Sequence, residues 1–126
     1  MLIKDIMQKP VVVEPTATVR HACKLLADQY GIIVVDEDAS LLGCVTVKIL
    51  FASLARGAML DEPVASIMQR QYKTADPNQR MSASLHGGEG LIILGDNGEV
   101  VGVLWPEDVQ QWRKNNNLAA VSCLER

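Results

Sequence analysis

Several things are scarce in this chain. Positive charge is not in excess: 12 Lys and Arg face 15 Asp and Glu, a formal net charge of −3. That balance leaves no basic footprint for nucleic acid. No apolar run approaches the ~18 residues that a bilayer span needs. The start, Met1-Leu2-Ile3-Lys4-Asp5, lacks the extended apolar stretch of a secretory leader, so none is expected. Cysteine is limited to Cys23, Cys44 and Cys123, odd in number and widely spaced. They form no metal or redox motif, so buried thiols and a cytoplasmic location are expected. Aromatic residues make up only 4% of the chain, while apolar content is ordinary for a globular protein.

Catalytic groupings are also missing. His21 reads as a surface residue, and His86 has no second metal ligand near it in sequence. Gly87-Gly88-Glu89-Gly90 lacks the strand, Lys and Ser/Thr of a phosphate-binding loop, so it reads as a plain loop. Ser53, Ser82 and Ser84 have no nucleophile context. Asp36, Glu37 and Asp38 read as a solvated turn. The chain is therefore not read as an enzyme.

What is present is a repeat. Leu41-Leu42-Gly43-Cys44-Val45-Thr46-Val47-Lys48-Ile49-Leu50 is echoed by Val100-Val101-Gly102-Val103-Leu104-Trp105-Pro106-Glu107-Asp108-Val109. Each copy is an apolar pair, a Gly, three strand-type residues and a helix start. Gly inside a β-branched run marks close approach of another backbone or a ligand. Thr46 suits an N-cap, Pro106 the first helical position, and Glu107 and Asp108 the positive end of a helix dipole. Such a helix start can hold an anion, or it is merely a strand-to-helix corner.

The rest of the chain follows the same duplication. Ile3 to Met7 reads as a helical turn and Val11 to Val13 as a short strand. Thr18 caps a helix carrying Val19, Ala22, Cys23, Leu26 and Tyr30 on one face, with Gly31 as its left-handed stop. Ile32 to Val35 is a buried strand, a turn follows, and Leu41 to Val45 returns antiparallel. The helix from Val47 to Arg56 should turn Leu50, Phe51 and Leu54 inward and end at Gly57. Ser66-Ile67-Met68, Tyr72 to Ala75, Leu91 to Leu94 and the turn at Asp96-Asn97-Gly98 repeat the order. The stretch His86 to Gly90 shortens the second copy's first helix to about one turn. The expected fold is α+β: two β-α-β-β-α repeats packed with pseudo-twofold symmetry, spanning residues 1–60 and 61–114, with 115–126 as a linker or tail. Neither half alone buries its sheet, so the two should pack through their sheets.

In order, spacing and duplication the chain resembles a tandem cystathionine-β-synthase (CBS) domain pair, or Bateman module. The residues that carry the likeness are Asp5-Ile6-Met7, Glu14 to Val19, Ile33 to Asp36 and Leu41 to Thr46, then Ser66 to Met68, Leu91 to Leu94 and Glu99 to Leu104. The resemblance implies a regulatory module that binds an adenosine-containing ligand, such as AMP, ADP, ATP or S-adenosylmethionine, in a cleft between repeats. It implies a Gly-h-x-(Thr/Ser)-x-x-Asp motif in which the Asp grips ribose hydroxyls. The first copy has Gly43 and Thr46 but Ile49 at the Asp position; the second has Gly102 and Asp108 but Trp105 at the Thr position. One implied cleft is lined by Val12, Val13, Ile33, Val35 and Thr46, with the main chain of Val11 to Val13 reading the base. The other holds Trp105 and Asp108. Trp105 either fills that cleft, the favoured reading, or stacks on a base; Asp108 is a ribose ligand or a helix-start charge. Thr74 and Ile92 complete the candidate ligand-binding set.

The competing reading is a structural dimerisation or partner-docking module with non-binding clefts. In either case a homodimer is expected through Val47, Leu50, Phe51, Leu54 and Ala55, with Trp112 beside them. An effector domain or protein is a further implied partner.

Overall fold

The computed structural model describes residues 1–81 and 90–115. The shortened helix of the second repeat, His86 with its Gly-rich loop, Ser82, Ser84, Cys123 and the tail from 116 onward lie outside the described residues.

The first half runs β1 (Val12–Val13), α1 (Val19–Leu26), β2 (Gly31–Val35), β3 (Leu41–Thr46) and α2 (Val47–Ala55). The second runs β4 (Lys73–Ala75), β5 (Leu91–Leu94), β6 (Val100–Leu104) and α3 (Pro106–Asn115). Each half forms a three-stranded sheet with its middle strand parallel to the first and antiparallel to the third. The register breaks at Val34/Val35 in one sheet and at Ile93/Leu94 in the other, which are equivalent places. The fold is thus mixed α+β, two repeats related by pseudo-twofold symmetry. None of the described helices is long and apolar enough to cross a membrane.

Why β2 is a continuous apolar run follows from its two faces. Ile32 and Val34 meet Val19, Ala22 and Leu26 of α1 and Leu50 of α2. Ile33 and Val35 meet Ile92, Val103 and Trp105 of the other repeat. Both faces are covered, so every residue of the strand is buried. β5 divides likewise: Leu91 and Ile93 face Leu104, Val109 and Ile3, while Ile92 joins the layer between the sheets.

Helix ends follow local chemistry. Thr18 Oγ1 accepts from the His21 amide at 3.1 Å, and α1 places Val19, Ala22 and Leu26 inward. Three expectations change. α1 stops at Leu26, so Tyr30 lies beyond the helix and is exposed. Gly31 is not a left-handed cap but the first residue of β2, where the Trp105 ring leaves no room for a side chain. Phe51 is 65% exposed rather than inward, because α2 turns Leu50 and Ser53 to the core. Gly57 does end α2 with φ +104. Cys44 is buried and Cys23 half-buried, and neither is joined in a disulfide.

The segments that enter each repeat are exchanged. The 3₁₀ turn Ile3–Asp5 packs on the second repeat: Ile3 N donates to Gln79 O at 2.8 Å, and Gln8 exchanges backbone hydrogen bonds with Val103. The turn Val64–Ser66 packs on the first: Val64 N donates to Ala17 O at 2.7 Å, and Gln69 exchanges backbone bonds with Cys44. Gly43 and Gly102 are where these segments touch. A Cβ at Gly43 would lie 2.7 Å from Gln69 O and 2.9 Å from Met68 Sδ; one at Gly102 would meet Met7. Substituting Gly43→Val should therefore destabilise the fold by roughly 1–3 kcal/mol, since the obstructing atom is backbone. An unshifted urea midpoint would show that the two segments do not meet so tightly.

Candidate functional site

Two pseudosymmetric corners build the site. β3 runs directly into α2 at Thr46, and β6 runs into α3 at Trp105. Thr46 Oγ1 accepts from the Ile49 amide at 3.2 Å, capping α2. Trp105 has no side-chain acceptor, so the cap of α3 comes from further along. The Trp105 amide donates to Asp108 Oδ2 at 2.8 Å, and the Asp108 amide donates to Trp105 O at 2.9 Å. The side chain of Trp105 is thereby released from capping and is 5% exposed, against Gly31 and Gly90.

Beside Thr46 lies a cleft of about 640 Å³ lined by Lys48, Ile49, Arg56, Gln69, Trp105 and Glu107, among others. Gln69 and Trp105 also belong to an adjoining cavity of about 390 Å³ with Cys44, Tyr72, Lys73 and Ile92. The two spaces meet at those shared residues. One end is an apolar shelf with two aromatic rings; the other runs along α2, with Lys48 in its first turn, Arg56 at its C-terminal end and Glu107 facing it. Gln69 is fixed there by its backbone pairing with Cys44 and by its side-chain amide, which donates to Gln71 O.

A separate cleft of about 560 Å³ lies beside Asp108, with Gln8, Lys9, Val11, Asp28, Tyr30 and Gly31 on its walls. Here Trp105 again forms part of the lining.

The sequence-derived residues are distributed differently from the expected clefts. Val11 sits with Trp105 and Asp108, not with Thr46. Val12, Val13 and Val35 line a groove of about 720 Å³ with Glu14 and Asp36 to Asp38, away from Thr46. Ile33 is fully buried between the sheets. Thr74 is exposed on β4, while Ile92 lies on the shelf joined to the Thr46 cleft. The reason is the exchange of entry segments. Residues just before each repeat's first strand are carried beside the other repeat's helix corner. Gln69 therefore reaches the Thr46 cleft and Tyr72 the cavity adjoining it, and Gln8 and Val11 reach Asp108. Gln69, Lys48, Arg56 and Tyr72 were not among the candidates. One sequence signal points to the first of them: Ile6-Met7-Gln8 recurs unchanged as Ile67-Met68-Gln69.

Among the described residues no group of three His, Cys, Asp or Glu is placed to hold a metal ion. The Asp108 carboxyl titrates above its ordinary 3.8, chiefly because burial disfavours its charge, with Glu107 adding repulsion. Hydrogen bonds from the Trp105 amide and the Gln8 side chain oppose this. An acid with a raised native pKa favours the folded state when protonated. That contribution is complete below the unfolded pKa and is lost as pH rises through the native one. Asp108→Asn should therefore flatten the fall in melting temperature across the range just above pH 3.8. A variant whose pH profile matches the parent would assign the dependence to another group.

Comparison with known proteins gives this geometry a family. Residues 3–56 match the CBS domain family. No curated protein sequence matches the chain. Among solved structures, it is similar to the CBS domain pair of protein MJ0100, in complex with 5′-methylthioadenosine and S-adenosyl-L-methionine. The two share 24% identity, with 92% of this chain and 98% of that one covered, at a TM-score of 0.78. It is similar to CBSX2 in complex with AMP, at 20% identity, 99% and 98% coverage and a TM-score of 0.72. The CBS-domain containing protein ATU1752 from Agrobacterium tumefaciens matches at 22% identity, 89% and 92% coverage and a TM-score of 0.75. Residues 3–56 carry the match to the CBS domain family, and the two halves together have the fold of a tandem CBS domain pair.

Proposed function

We propose that the chain is a regulatory module that senses an adenosine-containing ligand carrying negative charge, bound in the cleft beside Thr46. One observation carries this reading. An apolar shelf of Tyr72, Ile92 and Trp105 opens onto a cleft that holds the capped start of α2 with Lys48 in its first turn, and Arg56 from the helix's far end lines the same cleft. A flat base suits the shelf by burial and stacking. A phosphate or carboxylate suits the helix start beside Lys48, with Arg56 on the wall of the same cleft. Relatives of the same fold in complex with AMP and with S-adenosyl-L-methionine support the ligand class. No carboxylate stands at Ile49, so the ribose has no acid partner from that position and the base and anion supply the affinity.

Titration calorimetry with AMP and with adenosine tests the assignment. Lys48→Ala/Arg56→Ala should weaken AMP by roughly 1 kcal/mol per charge lost, as both cations are exposed, and leave adenosine unchanged. Equal effects on the two ligands would move the anion elsewhere.

Pairing of two chains is part of the proposal. Phe51 and Met59 are each 65% exposed and Leu60 39%, at and beyond the end of α2. Such a cluster of apolar side chains favours an interface over solvent. Light scattering at micromolar concentration should give the mass of two chains, and Phe51→Glu should return it to one. A monomeric parent, or a dimer untouched by Phe51→Glu, rejects this face.

A further inference from the structure

Two helix starts look onto the Thr46 cleft, and they carry opposite charge. Lys48 sits in the first turn of α2, which holds no acid. Glu107 and Asp108 sit in the first turn of α3. Lys48 and Glu107 occupy the same place in the duplicated corner, two residues after Thr46 and after Trp105 respectively. Both line the cleft, and Arg56 adds a second cation from the far end of α2. Among the described residues these three charged groups are not ion-paired with one another. The cleft is therefore polarised: its cations come from α2 and its acid from α3.

Either helix start by itself favours an anion through its free amides. At α3 that preference is already met. The Trp105 amide donates to Asp108 Oδ2 at 2.8 Å, and Glu107 adds a second negative charge to the same turn. The repulsion that Glu107 exerts on a neighbouring acid shows at Asp108, whose carboxyl is raised first by burial and further by Glu107. At α2 the cap is a neutral hydroxyl, so that helix start keeps its positive end. A first phosphate or carboxylate is thus drawn to α2. A longer phosphate chain finds no third cation on the walls of this cleft and meets Glu107 across it. Lys73 lies instead in the adjoining cavity, with the shelf that suits the base. We infer that Glu107 is a specificity-determining residue of this cleft, admitting an adenine ligand with one anionic group and disfavouring the di- and triphosphate. The inference rests on the reading of the Thr46 cleft as the ligand site.

AMP and ATP, titrated calorimetrically without divalent cations at low salt, test it on the full chain and on Glu107→Gln. The parent should bind AMP more tightly than ATP. Glu107→Gln keeps the shape and removes the charge. It should strengthen ATP roughly fivefold, the upper end for one exposed charge contact, and change AMP by less than about twofold. A parent that binds ATP as tightly as AMP, or more tightly, overturns the inference. So does a variant whose preference matches the parent's. If AMP binds and Lys48→Ala/Arg56→Ala weakens it while Glu107→Gln leaves the preference alone, the Thr46 cleft stands and only the role of Glu107 falls. If neither ligand binds the parent, both fall. Should Glu107→Gln lose its cooperative melt, Glu107→Ala is titrated instead, and the same outcomes decide.

Discussion

The exchange of entry segments is the constraint on which the rest of the structure depends. Each repeat presents a third strand whose outer edge is open, and each is closed by a short piece of the other repeat's leading chain. Gln8 pairs with Val103 and Gln69 with Cys44 through reciprocal backbone hydrogen bonds. These bonds satisfy groups on a sheet edge that would otherwise be unpaired. They also carry Ile3 and Val64, both fully buried, into the opposite cores. Neither half has a complete core without the other, so the pair is the folding unit that the packing defines.

That same exchange creates the clefts. The chain leaving each entry segment must pass the opposite repeat's strand-to-helix corner before reaching its own sheet. A space is left between corner and passing chain, and its polarity is set by whichever residues the corner carries. Thr46, Lys48 and Arg56 line one such space, with Glu107 as its acid. Asp108, held to the Trp105 amide and set among Asp28 and Gln8, makes the other acidic and self-satisfied. Duplication produced two equivalent places; divergence at two positions of the corner made them chemically different.

Trp105 shows how capping and packing are linked at such a corner. A Thr can satisfy a free helix amide and stay out of the cleft. A Trp cannot, so the cap moves to Asp108 and the large side chain is buried instead. Burying a ring of this size contributes several kcal/mol of apolar stabilisation, provided neighbours give it room. Gly31 and Gly90 give that room. These positions are therefore coupled: a side chain at either glycine would force the ring to move.

Much of this could be read along the chain. The continuous runs Ile32–Val35 and Leu91–Leu94, the Asn97-Gly98 turn, the Thr18 and Thr46 caps and the duplicated corner all declare themselves locally. The reason is that periodicity, turn chemistry and capping act over a few residues. Partnership was not legible in the same way. The sequence, through the resemblance it carries, placed Val12 and Val13 with Thr46, whereas the crossing of the entry segments brings Gln69 there and Tyr72 to the adjoining cavity. It placed Phe51 inward from apolar character alone, whereas the rotation of α2 against its sheet decides which apolar residues are covered. The amino-acid sequence by itself determined the repeat, the elements and which corners carry polar groups. Only the tertiary structure decided which distant segments share a cleft, because that depends on the path by which each half crosses to close the other.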